Sequence, residues 1–309
     1  MGISASDRRQ QLFHAGAGAF SCSQPDVIQS RPDVAGWYVC PLCLHAFPPV
    51  ALTSEPPRLT LDETPPRAST RGPITKVLTC RPCNNEAGRW LEGDLKKRRV
   101  VEDFGAGRLA RPIDIQLEAG NGTRVPAKAT FIDGQLQVIG VPTATPPKDI
   151  AAHWGWWDKQ VDEAIPESQF RIHMAPYSHG RSQTALLKAG YLAAFAAFGY
   201  TYIFRPELDP VRKEISDPGG GHMRQIPVLT HRGQDPTTHR ILSATEPLGG
   251  LFIQIGQDFV LLPWMNSEPG FWDRVGELII ERVGTITFDG AGDWPRFPQY
   301  RLDHPETNP

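Results

Sequence analysis

The chain has 309 residues, 40% of them apolar and 21% charged, with a formal net charge of −2. This composition suits a soluble globular protein with a real core, in two domains or in one large domain with an appended module. The near-neutral balance excludes a protein that is basic throughout and coats nucleic acid. Thirty prolines and 29 glycines exceed average usage and predict many turns, above all in the Pro-rich stretch 47–73.

Residues 1–35 lack a compact apolar core behind a basic start, so no secretory signal is read there and a cytoplasmic protein is expected. Met1-Gly2-Ile3-Ser4-Ala5-Ser6 fits the loose myristoylation pattern, which we read as coincidence. The segment is expected to be an N-terminal extension.

Four of the five cysteines form two pairs, Cys40-Pro-Leu-Cys43 and Cys80-Arg-Pro-Cys83, with 36 residues between them. Two such knuckles offer four thiolates, a closed tetrahedral shell for structural Zn2+ of the treble-clef kind. Disulfides are the alternative, but the absence of a signal argues for a reducing compartment. A thioredoxin-like redox site needs one such motif beside a βαβ pattern. Cys22 stands alone and reads as a free thiol. A zinc deaminase needs Pro before its Cys-x-x-Cys, where this chain has Thr79, and an upstream His-x-Glu that is missing.

Between and around the knuckles run Leu59-Thr-Leu-Asp62-Glu63-Thr-Pro65-Pro66-Arg67, Gly72, and Val77-Leu-Thr-Cys80-Arg-Pro-Cys83-Asn84-Asn85-Glu86-Ala87-Gly88. This stretch, about 37–100, resembles the HNH endonuclease family, in the members with a Cys-x-x-Cys pair on each side of the core. Such members read Leu-Thr-x-(Glu/Asp)-His-(Val/Ile)-Pro-Pro, then a Gly-containing loop, then Leu-Thr-Cys-x-x-Cys-Asn. The resemblance implies a ββα-metal unit that cleaves phosphodiester bonds in nucleic acid, with DNA the expected partner. It places Asp62 and Asn84 on the ligands of a catalytic divalent cation such as Mg2+, which would stabilise charge on the phosphoryl and leaving oxygens.

The sequence departs from this pattern at Glu63, which stands where the family has its general-base histidine. A carboxylate, with an ordinary pKa of about 4.3, is a weaker base than an imidazole at about 6.5. Glu63 would then be a weak base or a second metal ligand beside Asp62. The remaining reading is a catalytically degenerate module kept for binding nucleic acid or protein. The middle position of the motif falls near Thr75–Lys76, where there is no Asn, and His45 beside the first knuckle reads as an exposed loop residue.

From Arg67 to Arg99 nine Lys and Arg face three acids, Glu86, Glu92 and Asp94. Arg67, Arg71, Lys76, Arg81, Lys96 and Lys97 are the candidate phosphate-facing residues. Lys96–Arg99 also suits the end of a solvated helix, read over 85–99 with Trp90, Leu91 and Leu95 on one face.

Strands are expected at Ile113–Glu118, Val125–Phe131 and Gln135–Val141, joined by Gly-Asn-Gly and Asp-Gly turns, with a Thr/Pro linker over Val141–Pro147. His153-Trp-Gly-Trp-Trp157 is either a base-stacking platform or, as aromatic clusters more often are, a packed helix face. An apolar helix over Thr184–Phe198, capped by Ser182, is expected to form the core of the C-terminal domain, with Lys188 at its rim. The uncharged run from Ala189 to Phe204 is 16 residues, short of the ~20 that span a bilayer, so no membrane partner is expected. Further strands are read at Phe170–Ala175, Gln225–His231, Leu251–Ile255 and Asp258–Pro263, and the tail after Asp293 as disordered. The scattered histidines, among them His222 and His239, carry no metal pattern. The expected fold class is α+β: extension 1–35, zinc module 36–100, and a C-terminal domain 101–309 with a small sheet at 101–141, a linker at 142–150 and helix plus strands at 151–292.

Overall fold

The computed structural model describes residues 3–109, 111–141, 146–162, 170–231, 233–244, 249–265, 267, 270–281 and 287–298. The protein is of mixed α and β structure, with small antiparallel sheets and a four-cysteine cluster towards its N-terminus. The chain divides into two compact units: Met1–Leu95 joined with Ser178–Pro309, and Lys96–Tyr177.

The first unit begins with helix α1 (Ala5–Ser23), whose first turn is capped by Ser4 accepting from the Asp7 N–H. Leu12, Phe13, Ala17 and Phe20 recur at helical spacing and are buried in the main core. Helix α2 (Pro25–Ser30) follows, then the short hairpin of β1 (Tyr38–Val39) and β2 (Ala46–Phe47). A second hairpin pairs β3 (Leu59–Thr64) with β4 (Thr75–Cys80), and α3 (Arg81–Ala87) starts directly from its end. A π-helical turn over Gly88–Glu92 leads into α4 (Gly93–Gly105).

Within the second unit, β5 (Ile113–Glu118), β6 (Arg124–Ile132), β7 (Gln135–Gly140) and β8 (Arg171–His173) form an antiparallel sheet in the order β7-β6-β5-β8. Ile115, Leu117, Val125, Ala127 and Ala129 form its core on one face. The other face carries polar pairs, Lys128 with Asp114 and Glu118 with Arg124 and His173. The Asp133-Gly134 turn has positive φ at both residues, 51° and 76°, the conformation that suits a two-residue hairpin. Helix α5 (Pro147–Asp162) buries His153 completely and leaves Trp154 half exposed, so the aromatic cluster is largely a packed face.

Returning to the first unit, α6 (His179–Phe198) is buried at every residue from Thr184 to Ala196, as expected of a helix that is apolar on all sides. Short helices α7 (Tyr200–Ile203) and α8 (Asp209–Ser216) follow it. A five-stranded antiparallel sheet closes the unit in the order β13-β10-β11-β12-β9. Its strands are β9 (Val228–Thr230), β10 (His239–Ala244), β11 (Gly250–Ile255), β12 (Asp258–Pro263) and β13 (Gly290–Asp293), with α9 (Phe271–Glu281) between β12 and β13. Gly190 lets α6 approach β12 so closely that a Cβ there would meet Val260 at 2.8 Å.

Several expectations need correction. The N-terminal segment is no appendage, since α1 packs Leu12, Phe13 and Phe20, with the small Ala17, into the core. The expected boundary near residue 100 does not separate the cysteine module from the rest: α6 packs on both β3 and β12 and merges them into one unit. The helix after the second knuckle starts at Arg81, four residues early, because Pro82 suits a first helical turn. The N-cap of α6 is Ser178, accepting from the Arg181 N–H, and Ser182 lies inside the helix. Lys188 is not at a rim but 2% exposed. Beyond Asp293, Trp294 is buried. Residues 142–145 of the expected linker and 299–309 of the tail lie outside the described residues. No helix among the described residues is long and apolar enough to cross a membrane.

Candidate metal centre and the neighbouring acid site

Cys40 and Cys43 lie on the tight turn between β1 and β2. The Cys40 N–H donates to the His45 carbonyl and the Leu44 N–H to the Cys40 carbonyl, each at 2.9 Å. To close this turn Leu44 takes a φ of 57°, where glycine is at ease and a branched side chain is strained. Cys80 is the last residue of β4 and the N-cap position of α3, which leaves Cys83 in the first helical turn. Knuckle, hairpin and helix together bring the four cysteines into one cluster.

The four sulfurs lie within 4.8 Å of one another, and Cys43 Sγ is 3.7 Å from Cys80 Sγ. A tetrahedral ion with metal–sulfur bonds of about 2.3 Å sets its sulfurs about 3.8 Å apart, whereas a disulfide needs about 2.05 Å. The donor set therefore fits a metal ion and not a pair of disulfides. The Cys80 N–H also donates to Cys40 Sγ at 3.2 Å, as suits a thiolate. Burial pushes the Cys40 thiol up, while hydrogen bonding from Cys40 pulls the half-buried Cys43 down. Crowded thiols of this kind share their protons unevenly until a cation holds them all as thiolates.

The first knuckle is held from behind by two buried tyrosines. Tyr191 Oη donates to the Pro41 carbonyl at 2.8 Å, and Tyr200 Oη to the Val39 carbonyl at 2.7 Å. Burial raises the Tyr191 phenol above its ordinary value, so it stays a donor.

Asp62 lies next to this centre on β3, 2% exposed, with Thr79 Oγ1 donating to its Oδ2 at 3.2 Å. Its charge is met by Lys188 of α6, whose Nζ lies 3.0 Å from Oδ1 and 2.9 Å from Oδ2. The same ammonium donates to Glu92 Oε1 at 2.8 Å. Burial alone would lower the Lys188 pKa, but the carboxylates of Asp62 and Glu92 outweigh it and raise it. Glu92 ends the π-helical turn, the irregular stretch that carries it to the lysine.

The expected partners of Asp62 are elsewhere. Alternation along β3 turns Glu63 to the opposite face, where it is part exposed and lies 3.5 Å from both Arg67 and Lys76. The Asp62/Glu63 carboxylate pair weighed from sequence therefore does not form. Asn84 Nδ2 donates to Thr60 Oγ1 at 3.0 Å and to the Leu61 carbonyl at 3.1 Å, tying α3 to β3. Sequence reading missed Lys188 and Glu92; the available signal was a single lysine inside an otherwise apolar helix.

Of the candidate phosphate-facing residues, Arg67 and Arg71 are exposed and Lys76 and Arg81 half-buried, all in the first unit. Lys96 and Lys97 are exposed and open the second unit, while the adjacent Arg98 and Arg99 pair with Glu102. Comparison with protein-family models, with curated proteins and with solved structures gives no match.

Proposed function

We propose that the protein is a zinc-stapled relative of the HNH nucleases whose acid site is closed, and that it binds nucleic acid without cutting it. The observation that carries this reading is the pairing of Lys188 with both oxygens of Asp62. An HNH-type acid must offer a free oxygen to a divalent cation within reach of a phosphodiester. Here Asp62 is buried, and a tethered ammonium already supplies the positive charge. Placing a cation there would require displacing Lys188 from Asp62 and leaving a buried ammonium with Glu92 as its remaining carboxylate, which is costly.

Four thiolates at tetrahedral spacing support zinc as the structural ion, which would fasten the β1–β2 turn to the start of α3. The exposed Arg67 and Arg71 beside the β3–β4 hairpin support a phosphate-facing surface.

The test is a binding and cleavage assay on DNA with the full zinc-loaded chain. We expect no cleavage with Mg2+ or Mn2+, and binding that weakens as salt rises because neutralised phosphates release counterions. Arg67→Glu with Arg71→Glu should weaken binding to all sequences alike. Cleavage by the wild type that disappears in Asp62→Asn would restore the nuclease reading, and salt-independent or absent binding would favour a protein partner.

A further inference from the structure

The four cysteines of the metal centre are not equally sheltered. Cys40 and Cys80 are 0% and 3% exposed, whereas Cys43 and Cys83, the second cysteine of each pair, are only half-buried. Both half-buried cysteines line a cavity of about 360 Å³ bounded by the first knuckle, α3 and α8. It is large enough for several waters or a small reagent. Its walls carry Glu86 and Asp209 against Arg212 and Lys213, and Arg212 is already paired with Asp209. Balanced walls give neither anions nor cations an advantage, so a small uncharged reagent enters without an electrostatic barrier.

Zinc has no redox chemistry of its own, so electrons given up at this centre come from sulfur. The thiolate is the sulfur nucleophile, and a bound metal holds all four cysteines in that form. Access and hydrogen bonding then decide which of them reacts. Cys40 Sγ is buried and accepts from the Cys80 N–H, which stabilises its charge and dulls it as a nucleophile. Cys43 and Cys83 stand at the cavity.

We propose that Cys43 and Cys83 form an oxidation site, where hydrogen peroxide entering from this cavity releases the zinc. The inference rests on the reading of the four cysteines as a zinc centre. One of the two thiolates attacks a peroxide oxygen: an S–O bond forms, the O–O bond breaks and hydroxide leaves. A neighbouring thiolate of the cluster, within 4.8 Å, then attacks the sulfenic sulfur; an S–S bond forms and a second hydroxide leaves. The two sulfurs have given two electrons to the peroxide, and two protons from solvent complete two waters. The two thiolates that remain cannot close a tetrahedral shell, and the zinc departs. With it goes the fastening of the β1–β2 turn to the start of α3, which a thiol reductant and fresh zinc restore.

The test follows zinc release from the full zinc-loaded chain with a chromogenic chelator, with and without hydrogen peroxide. The expected result is loss of the bound zinc in peroxide alone, reversed by dithiothreitol with added zinc. Dimedone, which traps sulfenic acids, should mark Cys43 or Cys83 before Cys40 and Cys80 in peptide mass spectra, where the exposed Cys22 is read separately. Ser216→Trp, at an exposed position of the cavity wall, should cover the opening. Release should slow several-fold with circular dichroism and zinc content unchanged. Lys213→Trp, exposed on the same wall, should do likewise, and the dimedone order decides the matter if both variants misfold. A zinc-loaded chain that keeps its metal in peroxide overturns the proposal, as does marking of Cys40 or Cys80 first, or release at the wild-type rate from both folded variants. These results leave the zinc centre standing, whereas a chain that binds no zinc overturns both readings.

Discussion

Tyr191 Oη, completely buried on α6, donates to the carbonyl of Pro41, inside the first pair of cysteines. The residues are 150 apart in sequence, so the first turn of the metal centre is braced by a helix from the far part of the chain. Removing the hydroxyl leaves a buried carbonyl without this donor, at a cost of about 1–3 kcal/mol. Tyr191→Phe should lower the urea midpoint accordingly and speed metal loss to a chelator; unchanged metal release would show that the brace does not bear on the centre.

Metal content should follow the cysteines. The wild type is expected to hold one zinc per chain, and Cys80→Ser to lose it together with a large part of its stability. Binding energies of such sites are of order 10 kcal/mol, comparable with the whole stability of a domain. Atomic emission spectroscopy with thermal melts reads both, and a metal-free chain that melts like the wild type contradicts the assignment.

The Asp62–Lys188 pair predicts non-additivity. Lys188→Met leaves a buried carboxylate uncompensated and should cost about 3–5 kcal/mol, whereas adding Asp62→Leu should recover most of that loss. A double variant as unstable as the sum of its singles refutes the pairing. The pH dependence has a defined sign. The folded-state pKa of Lys188 lies above its ordinary 10.5, so its contribution is complete below that value. It is lost only as pH rises through the folded-state value. Alkaline unfolding should therefore begin at lower pH in Glu92→Gln, which removes one of the two carboxylates holding the ammonium.

Gly190 should resist replacement by alanine. In an open helix that change gains up to about 1 kcal/mol. Here the added Cβ would sit 2.8 Å from Val260, and overpacking of this kind costs about 1–3 kcal/mol. A lowered melting temperature in Gly190→Ala is expected; an increase would mean that α6 and β12 separate easily.

Much of the cysteine centre was legible because its information is local: two Cys-x-x-Cys knuckles announce their ligands by spacing alone. The strands of the second unit were legible for the same reason, with alternating residues and an Asp-Gly turn fixing Gln135 as a strand start. Lys188 was not. Its environment is made by Asp62, 126 residues away, and by Glu92 on a helical irregularity that no residue pattern marks. The domain boundary failed likewise, because the apolar surround of α6 does not say which two sheets will cover it.

The division of the first unit into two stretches of chain has a temporal consequence. On the ribosome, β3 and both cysteine knuckles emerge well before α6, and at about 5–20 residues per second the 126 residues from Asp62 to Lys188 take on the order of ten seconds. Throughout that interval the acid of the hairpin is uncovered and open to solvent ions. The nascent chain therefore lacks the Lys188 partner of Asp62 throughout that interval, and a ribosome-bound fragment ending before α6 is where a cation at Asp62 should be sought.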